Sequence, residues 1–337
     1  WYDVCCGYGT YFFNDDGLIS PAQHIEGKDG FKMWSNELRF SSPRENRLRF
    51  TGGLFMQSAE HRIEQRYMVD DMAPDYEVTG WPDTIWLTQQ TRTDDSYAAF
   101  GELYYDITEK LTATAGIRLF QTDNSLKGFF GFSGNYSSKT GEAKCFNENN
   151  FHGAPCVNLN KETDESGSTP KVNLAYKFDE DRMFYLTYSE GFRPGGVNRR
   201  SSYPGPGEVE QFPPYKADYL TNYEAGWKTT WANGAVRFNG AIFLEEWDDF
   251  QYSYLGSNGL TNIQNAGQAE ITGIEVYADW AATDQWRFSA GATWLDPELD
   301  QNFCQAILPW TYDDELPPLT TCPDYLYAKK GTQLPAS

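Results

Sequence analysis

The sequence is poor in the residues that build several common kinds of functional site. Its 337 residues include three histidines and six cysteines, and 27 Lys and Arg stand against 48 Asp and Glu, for a net charge of −21. A charge of this sign argues against a nucleic-acid partner. The few histidines, and cysteines without CxxC spacing, give no basis for a metal site. No stretch approaches the roughly 20 apolar residues that a membrane-spanning helix needs.

Aromatic residues are abundant, at 16 % of the chain, which argues against disorder. The dominant pattern is a period of two: Val236, Phe238 and Ile242 share one face of a segment whose other face carries Arg237 and Asn239. Such alternation predicts strands with one apolar and one polar face. Ten strands are predicted, at about 33–41, 47–59, 93–107, 110–123, 169–179, 182–192, 218–231, 235–250, 263–280 and 285–295.

The connections between these strands alternate between short and long. In an antiparallel meander, successive connections lie at opposite ends of the sheet, so all the long loops share one end. This segregation is typical of a transmembrane β-barrel, with short periplasmic turns and long extracellular loops. Trp286 and Trp294 lie on one face, roughly 20 Å apart along the barrel axis, as two aromatic girdles would. A soluble β-sandwich with aromatic strand ends is the alternative.

Several segments resemble TonB-dependent outer-membrane receptors, in the order found in that family. They are WSNELRFSSP (34–43), FGELYYDITEKLTATAGIRLF (100–120), YSEGFRPGGVN (188–198), YEAGWKTTW (223–231), NAGQAEITGIEVYADW (265–280) and GTQLPAS (331–337). The resemblance implies an all-β, antiparallel up-and-down barrel of about 22 strands around a plug. It implies location in the outer membrane of a Gram-negative bacterium and energy coupling to TonB–ExbB–ExbD through the plug domain.

We expect residues 1–337 to be a partial barrel domain of such a receptor. Neither a plug domain nor the final strands of the family's barrel are recognisable in this sequence. Ten strands alone would leave two unpaired edges, which a membrane does not tolerate.

The cysteines favour local disulfides in exposed loops. Cys145 and Cys156 lie in one long loop, and Cys304 and Cys322 in another, both at the predicted outer end. We therefore predict the disulfides Cys145–Cys156 and Cys304–Cys322, as suits an oxidising compartment. The sequence does not decide the partners of Cys5 and Cys6.

The candidate ligand site lies in the outer loops. Arg193, Asn198, Arg199 and Arg200 follow a strand end at the mouth of an otherwise acidic protein, and cations there could attract an anionic ferric siderophore. Pairing of the arginines with loop carboxylates or lipopolysaccharide phosphates is the alternative. Aromatic residues are added to the site because rings can stack on a ligand, although loop packing is the competing explanation. They are Trp81, Trp86, Tyr203, Tyr252 and Tyr254.

The leading hypothesis is a TonB-dependent uptake receptor for a ferric siderophore or similar scarce nutrient, with no cofactor. We expect no enzyme, because the adjacent acids Glu245 and Glu246 point to opposite faces of a strand and cannot act as a catalytic pair. A non-transporting surface barrel, such as an adhesin or phage receptor, is the second hypothesis. A soluble all-β carbohydrate-binding protein is the third.

Overall fold

The computed structural model describes residues 13–14, 17–20, 22–132, 149–198, 214–255, 261–304 and 326–334. Ten long strands form one sheet. They are β1 (Gln23–Ser41), β2 (Leu48–Val69), β3 (Thr84–Asp106), β4 (Leu111–Phe132), β5 (Leu159–Lys177), β6 (Arg182–Arg193), β7 (Asp218–Trp231), β8 (Val236–Asp248), β9 (Gln268–Ala281) and β10 (Arg287–Leu299).

Every strand of this sheet pairs antiparallel with the next one along the chain, from β1 to β10. The ten predicted strands and the up-and-down order are therefore confirmed. The sheet does not close on itself within the described residues, as expected of part of a barrel.

One face of the sheet, here called the apolar face, carries large apolar side chains that the described chain leaves uncovered. Ile242 is 52 % exposed and Trp294 is 58 % exposed, and Phe238, Trp280 and Trp286 are exposed too. Register places Ile274 opposite both Ile242 and Trp294, and Trp280 opposite Phe288, so the row continues across neighbouring strands. The soluble-sandwich alternative is wrong, because no described sheet packs on this row. An apolar band of this kind faces lipid.

The opposite, polar face carries paired charges and hydroxyl groups. Lys171 on β5 lies 3.0 Å from Glu102 on β3, between Nζ and Oε1. Asn173 donates a 2.8 Å hydrogen bond to the Thr187 hydroxyl on β6. Charged groups satisfied in this way are suited to the wet interior of a barrel.

The strands run farther at the outer end than the alternation predicts. The segments 60–92 and 124–168, predicted as loops, contain the outer parts of β2, β3, β4 and β5. The extension of β3 above Tyr97, Thr84–Ser96, rises roughly 40 Å along the strand. Both faces of the extension are largely polar, so the period-two signal of a lipid-facing strand is missing there.

Among the described residues, no helix is long and apolar enough to cross a membrane. The regular helical structure described is a short 3-10 turn at Pro74–Tyr76.

Candidate functional site

The loop after β6 folds back onto the polar face of the outer extension. The backbone N–H of Val197 donates to Oδ1 of Asn124 on β4 at 3.2 Å. The backbone N–H of Ala217 donates to Oε2 of Glu165 on β5 at 2.8 Å. Asn124 and Glu165 share the polar face, because each lies an even number of residues from a polar-face residue of its strand. Two side chains of the barrel wall therefore hold the two ends of this loop.

A bridge between the two ends of the loop fixes its shape. Gly196 and Tyr215 exchange backbone hydrogen bonds of 3.0 and 2.9 Å. A Cβ atom at Gly196 would lie 2.4 Å from the Tyr215 hydroxyl oxygen, so any other residue there would displace the tyrosine side chain.

Arg92 of β3 lies against the same bridge and is paired with Asp94. The distance between Arg92 Nε and Asp94 Oδ2 is 3.1 Å. Burial lowers the pKa of Arg92, but attraction to Asp94 and a hydrogen bond with Tyr215 outweigh it, so the pKa is raised. Arg92 stays charged and anchors the tyrosine to the wall.

A second loop, between β8 and β9, is joined to the first by side-chain amides. Asn198 donates to the Ile263 carbonyl at 2.8 Å, and the Ile263 N–H donates back to Asn198 Oδ1 at 2.8 Å. Asn265 and the backbone of Lys216 exchange bonds of 2.8 and 2.9 Å in the same way. Gln251 donates to the carbonyls of Pro194 and Lys216 at 2.9 and 3.1 Å. We call residues 194–198, 214–217, 249–255 and 261–266 the coupled loops, because each amide ties the loop after β6 to the loop between β8 and β9.

A cavity of about 380 Å³ lies between the first of the coupled loops and the barrel wall. It is lined by Thr122, Asn124, Thr163, Asp164, Glu165, Gly195, Pro214, Tyr215 and Lys216. Its volume is within the range of small-molecule sites, and its amide, hydroxyl, carboxylate and ammonium groups can hydrogen-bond a polar ligand. It is the candidate ligand site among the described residues.

Arg193, which the sequence predicts to bind the ligand, forms an ion pair with a carboxylate of the protein. Its Nη2 atom lies 2.5 Å from Oδ2 of Asp218, whose side chain is 2 % exposed, and its guanidinium lies 5.4 Å from the Trp247 ring centroid. Asp218 also accepts a 2.9 Å bond from the Gln251 backbone. The structure therefore shows the carboxylate pairing that was the alternative for this arginine, and a role for Arg193 in binding a ligand stays a prediction.

The predicted aromatic site is divided between the two faces of the sheet. Trp86 belongs to β3, not to a loop, and is buried in a polar-face cluster. That cluster comprises Val69, Met72, Ile85, Trp86, Leu126, Phe130, Leu159 and Val197. Trp81 donates a 2.8 Å bond to the Gly153 carbonyl and packs on the cluster of Leu87 and Phe129, whose side chains point to the apolar face. Trp86 is therefore a strand residue and not the predicted loop residue, whereas Trp81 lies in the connection between β2 and β3 and packs on the other face of the sheet. A role for either tryptophan in binding a ligand stays a prediction.

The remaining predicted residues are only partly described. Asn198 is 4 % exposed and joins the coupled loops, and Tyr252 packs on Phe303 with ring centroids 4.9 Å apart. Tyr254 lies in the strand Gln251–Leu255. Arg199, Arg200 and Tyr203 lie outside the described residues.

Cys156 is disulfide-bonded. Its predicted partner Cys145 lies outside the described residues, as do Cys322, Cys5 and Cys6, and Cys304 ends the short strand Phe303–Cys304. The two pairings stay predictions. In the described part of the chain, no group of three or more His, Cys, Asp or Glu is placed to hold a metal ion.

Sequence reasoning missed Arg92, Asn124 and Glu165. All three lie in strand segments predicted as loops, so no face could be assigned to them. Residues 121–125 are polar at every position, so the alternation that would assign a face to Asn124 is absent there.

The chain forms a meander with an apolar outer face and with loops folded onto its polar face. This arrangement matches a known family. The model of the TonB-dependent receptor-like β-barrel matches residues 6–336. The chain belongs to the TonB-dependent receptor family. Membership places it in the outer membrane of a Gram-negative bacterium.

Similar proteins are receptors and transporters. The pesticin receptor of Yersinia enterocolitica is 25 % identical over 242 residues, 72 % of this chain and 29 % of the receptor. The probable TonB-dependent siderophore receptor PiuA of Acinetobacter baumannii is 26 % identical over 137 residues, 40 % of this chain and 18 % of PiuA. The chain therefore spans less than a third of the length of these curated relatives.

Solved structures show the same fold. The ferric yersiniabactin uptake receptor FyuA from Yersinia pestis superposes with a TM-score of 0.62 at 17 % identity, over 83 % of this chain and 37 % of FyuA. The siderophore receptor PiuA from Acinetobacter baumannii superposes with a TM-score of 0.59 at 14 % identity, over 92 % of this chain and 42 % of PiuA.

Proposed function

We propose that this chain forms part of the wall and ligand entrance of a receptor that takes up a ferric siderophore or a similar scarce nutrient. The main support for this proposal is the cavity between the coupled loops and the polar face, above the lipid-facing band. A ligand held there would lie at the outer mouth of the barrel lumen, where uptake begins. We propose no enzymatic activity, since the relatives are named as receptors.

We propose that further strands and a plug domain complete the receptor. Further strands would pair with the exposed edge of β1 and continue from residues 331–334, which bond to the outer end of β10, and so close the barrel. A plug domain would couple it to TonB, ExbB and ExbD, and lipopolysaccharide would surround its outer end.

Uptake of labelled ferric siderophores by cells that express the full-length gene product tests this proposal. We expect accumulation that requires TonB and is lost in a deletion strain. Normal iron acquisition in that strain, with no other nutrient complex taken up in a TonB-dependent way, would contradict it.

A second function, as a surface receptor for a protein, is favoured by the names of relatives. Three of them are called pesticin receptor. Binding of a bacteriocin or phage to cells that lack TonB, without uptake of any small ligand, would support a purely receptive role over transport.

A further inference from the structure

Two cations at the end of the sheet that carries the short turns lie over aromatic rings. The guanidinium of Arg47, in the turn before β2, lies 5.0 Å from the Tyr105 ring centroid. The ammonium of Lys110, in the turn before β4, lies 5.9 Å from the Phe178 ring centroid. Lys110 belongs to the short turn 107–110, and Arg47 donates a hydrogen bond to the Ile107 carbonyl of that turn, so both cations lie on one stretch of the rim.

The two rings belong to the lipid-facing band. Tyr105 is 43 % exposed and Phe178 is 52 % exposed, and both continue the apolar face of their strands. The cations are exposed as well. In this family the short turns lie on the periplasmic side. Arg47 and Lys110 therefore lie where the head groups of the periplasmic leaflet begin.

Neither cation has an acidic partner among the described residues. Arg47 donates from Nε to the Asp106 carbonyl at 2.8 Å and from Nη2 to the Ile107 carbonyl at 2.9 Å. Lys110 donates to the Phe178 carbonyl at 2.9 Å. These bonds hold each side chain in place while its positive charge stays uncompensated. The neighbouring Arg182, by contrast, is paired with Asp179.

We propose that Arg47 and Lys110 form a binding site for the phosphodiester of an anionic phospholipid in the periplasmic leaflet. The unused N–H groups of both side chains can donate charge-assisted hydrogen bonds to phosphate oxygens. The rings beneath them contact the glycerol and upper acyl region, as aromatic residues do at membrane interfaces. The site depends on the outer-membrane location and not on the identity of the transported ligand.

One carboxylate in the turn allows a competing specificity. Glu109 is exposed and forms no ion pair within 4.0 Å among the described residues. It could accept the ammonium of a zwitterionic phosphatidylethanolamine while a cation held the phosphate. Glu45, exposed in the turn of Arg47, could act in the same way. We favour the anionic lipid, because Arg47 and Lys110 are held over rings of the lipid-facing band.

Native mass spectrometry of the full-length receptor, loaded with equimolar phosphatidylglycerol and phosphatidylethanolamine, tests the site. We expect the wild type to retain phosphatidylglycerol preferentially. Substituting Arg47→Gln or Lys110→Gln should lower that preference about fivefold each. Inorganic phosphate added alone should not displace the lipid.

The matched control is Arg44→Gln, which removes an exposed cation from the same turn as Arg47 but contacts no ring in the described structure. It should leave the preference unchanged. Heat-modifiable gel mobility verifies that each variant is folded. The proposal is overturned if the control lowers the preference as much as the two test variants, if phosphatidylethanolamine is retained equally, or if inorganic phosphate displaces the lipid. Uptake assays report on the proposed transport separately.

Discussion

At the scale of the residue, Arg193 shows how a cation at the mouth of an acidic protein can be bound by a buried carboxylate. Its partner Asp218 is almost fully buried and has no other cation within 4.0 Å among the described residues. Replacing Arg193 with Ala leaves that carboxylate buried without a counter-ion, and we expect a loss of about 2–4 kcal/mol in the free energy of unfolding. Adding Asp218→Asn to this variant should recover part of the loss.

Urea-induced unfolding of the refolded full-length receptor measures this effect. The control is Lys28→Ala, which removes an exposed partner of Glu64, 3.3 Å away, and should change stability by less than about 1 kcal/mol. Equal losses for Arg193→Ala and the control would show that the pair with Asp218 is not a structural one.

A second residue-scale prediction concerns the periplasmic turn at Asp179. A hydrogen bond from Arg182 lowers the pKa of the Asp179 carboxyl. Because the folded pKa is lowered, the contribution to stability is present above the ordinary Asp pKa of about 3.9 and is lost as the pH falls through the lowered value. Arg182→Gln should raise the pKa of Asp179 toward its ordinary value, while the backbone bonds from Asp181 and Arg182 remain. Carboxyl ¹³C NMR titration measures it, and an unchanged pKa would contradict the assignment.

At the scale of the element, close packing across β1, β2 and β3 depends on a missing side chain. A Cβ atom at Gly53 would lie 2.3 Å from the Leu38 carbonyl oxygen and 2.7 Å from the Phe100 ring. Gly53→Ala should therefore force the strands or the ring to move and destabilise the sheet by about 1–3 kcal/mol.

Gly191 in β6 provides the control for that substitution, since an added Cβ would meet nothing within 4 Å. Gly191→Ala should leave the urea midpoint nearly unchanged. If Gly53→Ala also leaves the urea midpoint unchanged, the packing between Gly53 and Phe100 does not constrain the sheet.

Because side-chain hydrogen bonds join the coupled loops, we expect them to behave as one structural element. Asn198→Ala removes both bonds to Ile263 and leaves part-buried backbone groups without these partners, so we expect a loss of about 1–2 kcal/mol. Limited proteolysis should cut residues 249–255 and 261–266 faster than in the wild type. Asn160→Ala, at an exposed position of β5, should not change the rate. Equal rates for both variants would show that the loops are independent.

At the scale of the whole molecule, the alternation of faces determines which solvent each side chain meets. Ala290 lies between Trp286 and Trp294 on the apolar face, and Thr293 lies on the polar face of the same strand. Ala290→Lys should destabilise the barrel by about 2–4 kcal/mol, because it places a charge near the bilayer centre.

Thr293→Lys introduces the same charge toward the lumen and should be tolerated. Folding into lipid vesicles, followed by heat-modifiable mobility, distinguishes the two variants. The assignment of faces fails if Thr293→Lys blocks folding and Ala290→Lys does not.

Much of this architecture could be predicted because the bilayer imposes one strong rule. Within the lipid-facing band, residues such as Phe238 and Ile242 must be apolar while their neighbours Arg237 and Asn239 stay polar, and this pattern is visible in the sequence alone. Above the band, water meets both faces of β3 and β4, so polar residues on either face leave the pattern unreadable. The strands there were consequently predicted as loops.

The sequence by itself determined the ten strands, their order, their apolar face and the family. Only the tertiary structure decided the candidate site, because it brings together residues far apart in the chain: Asn124 with Val197, Glu165 with Ala217, and Asn198 with Ile263. Local alternation follows from the solvent on each side of a strand, whereas contacts between loops depend on hydrogen-bond geometry that no local pattern encodes.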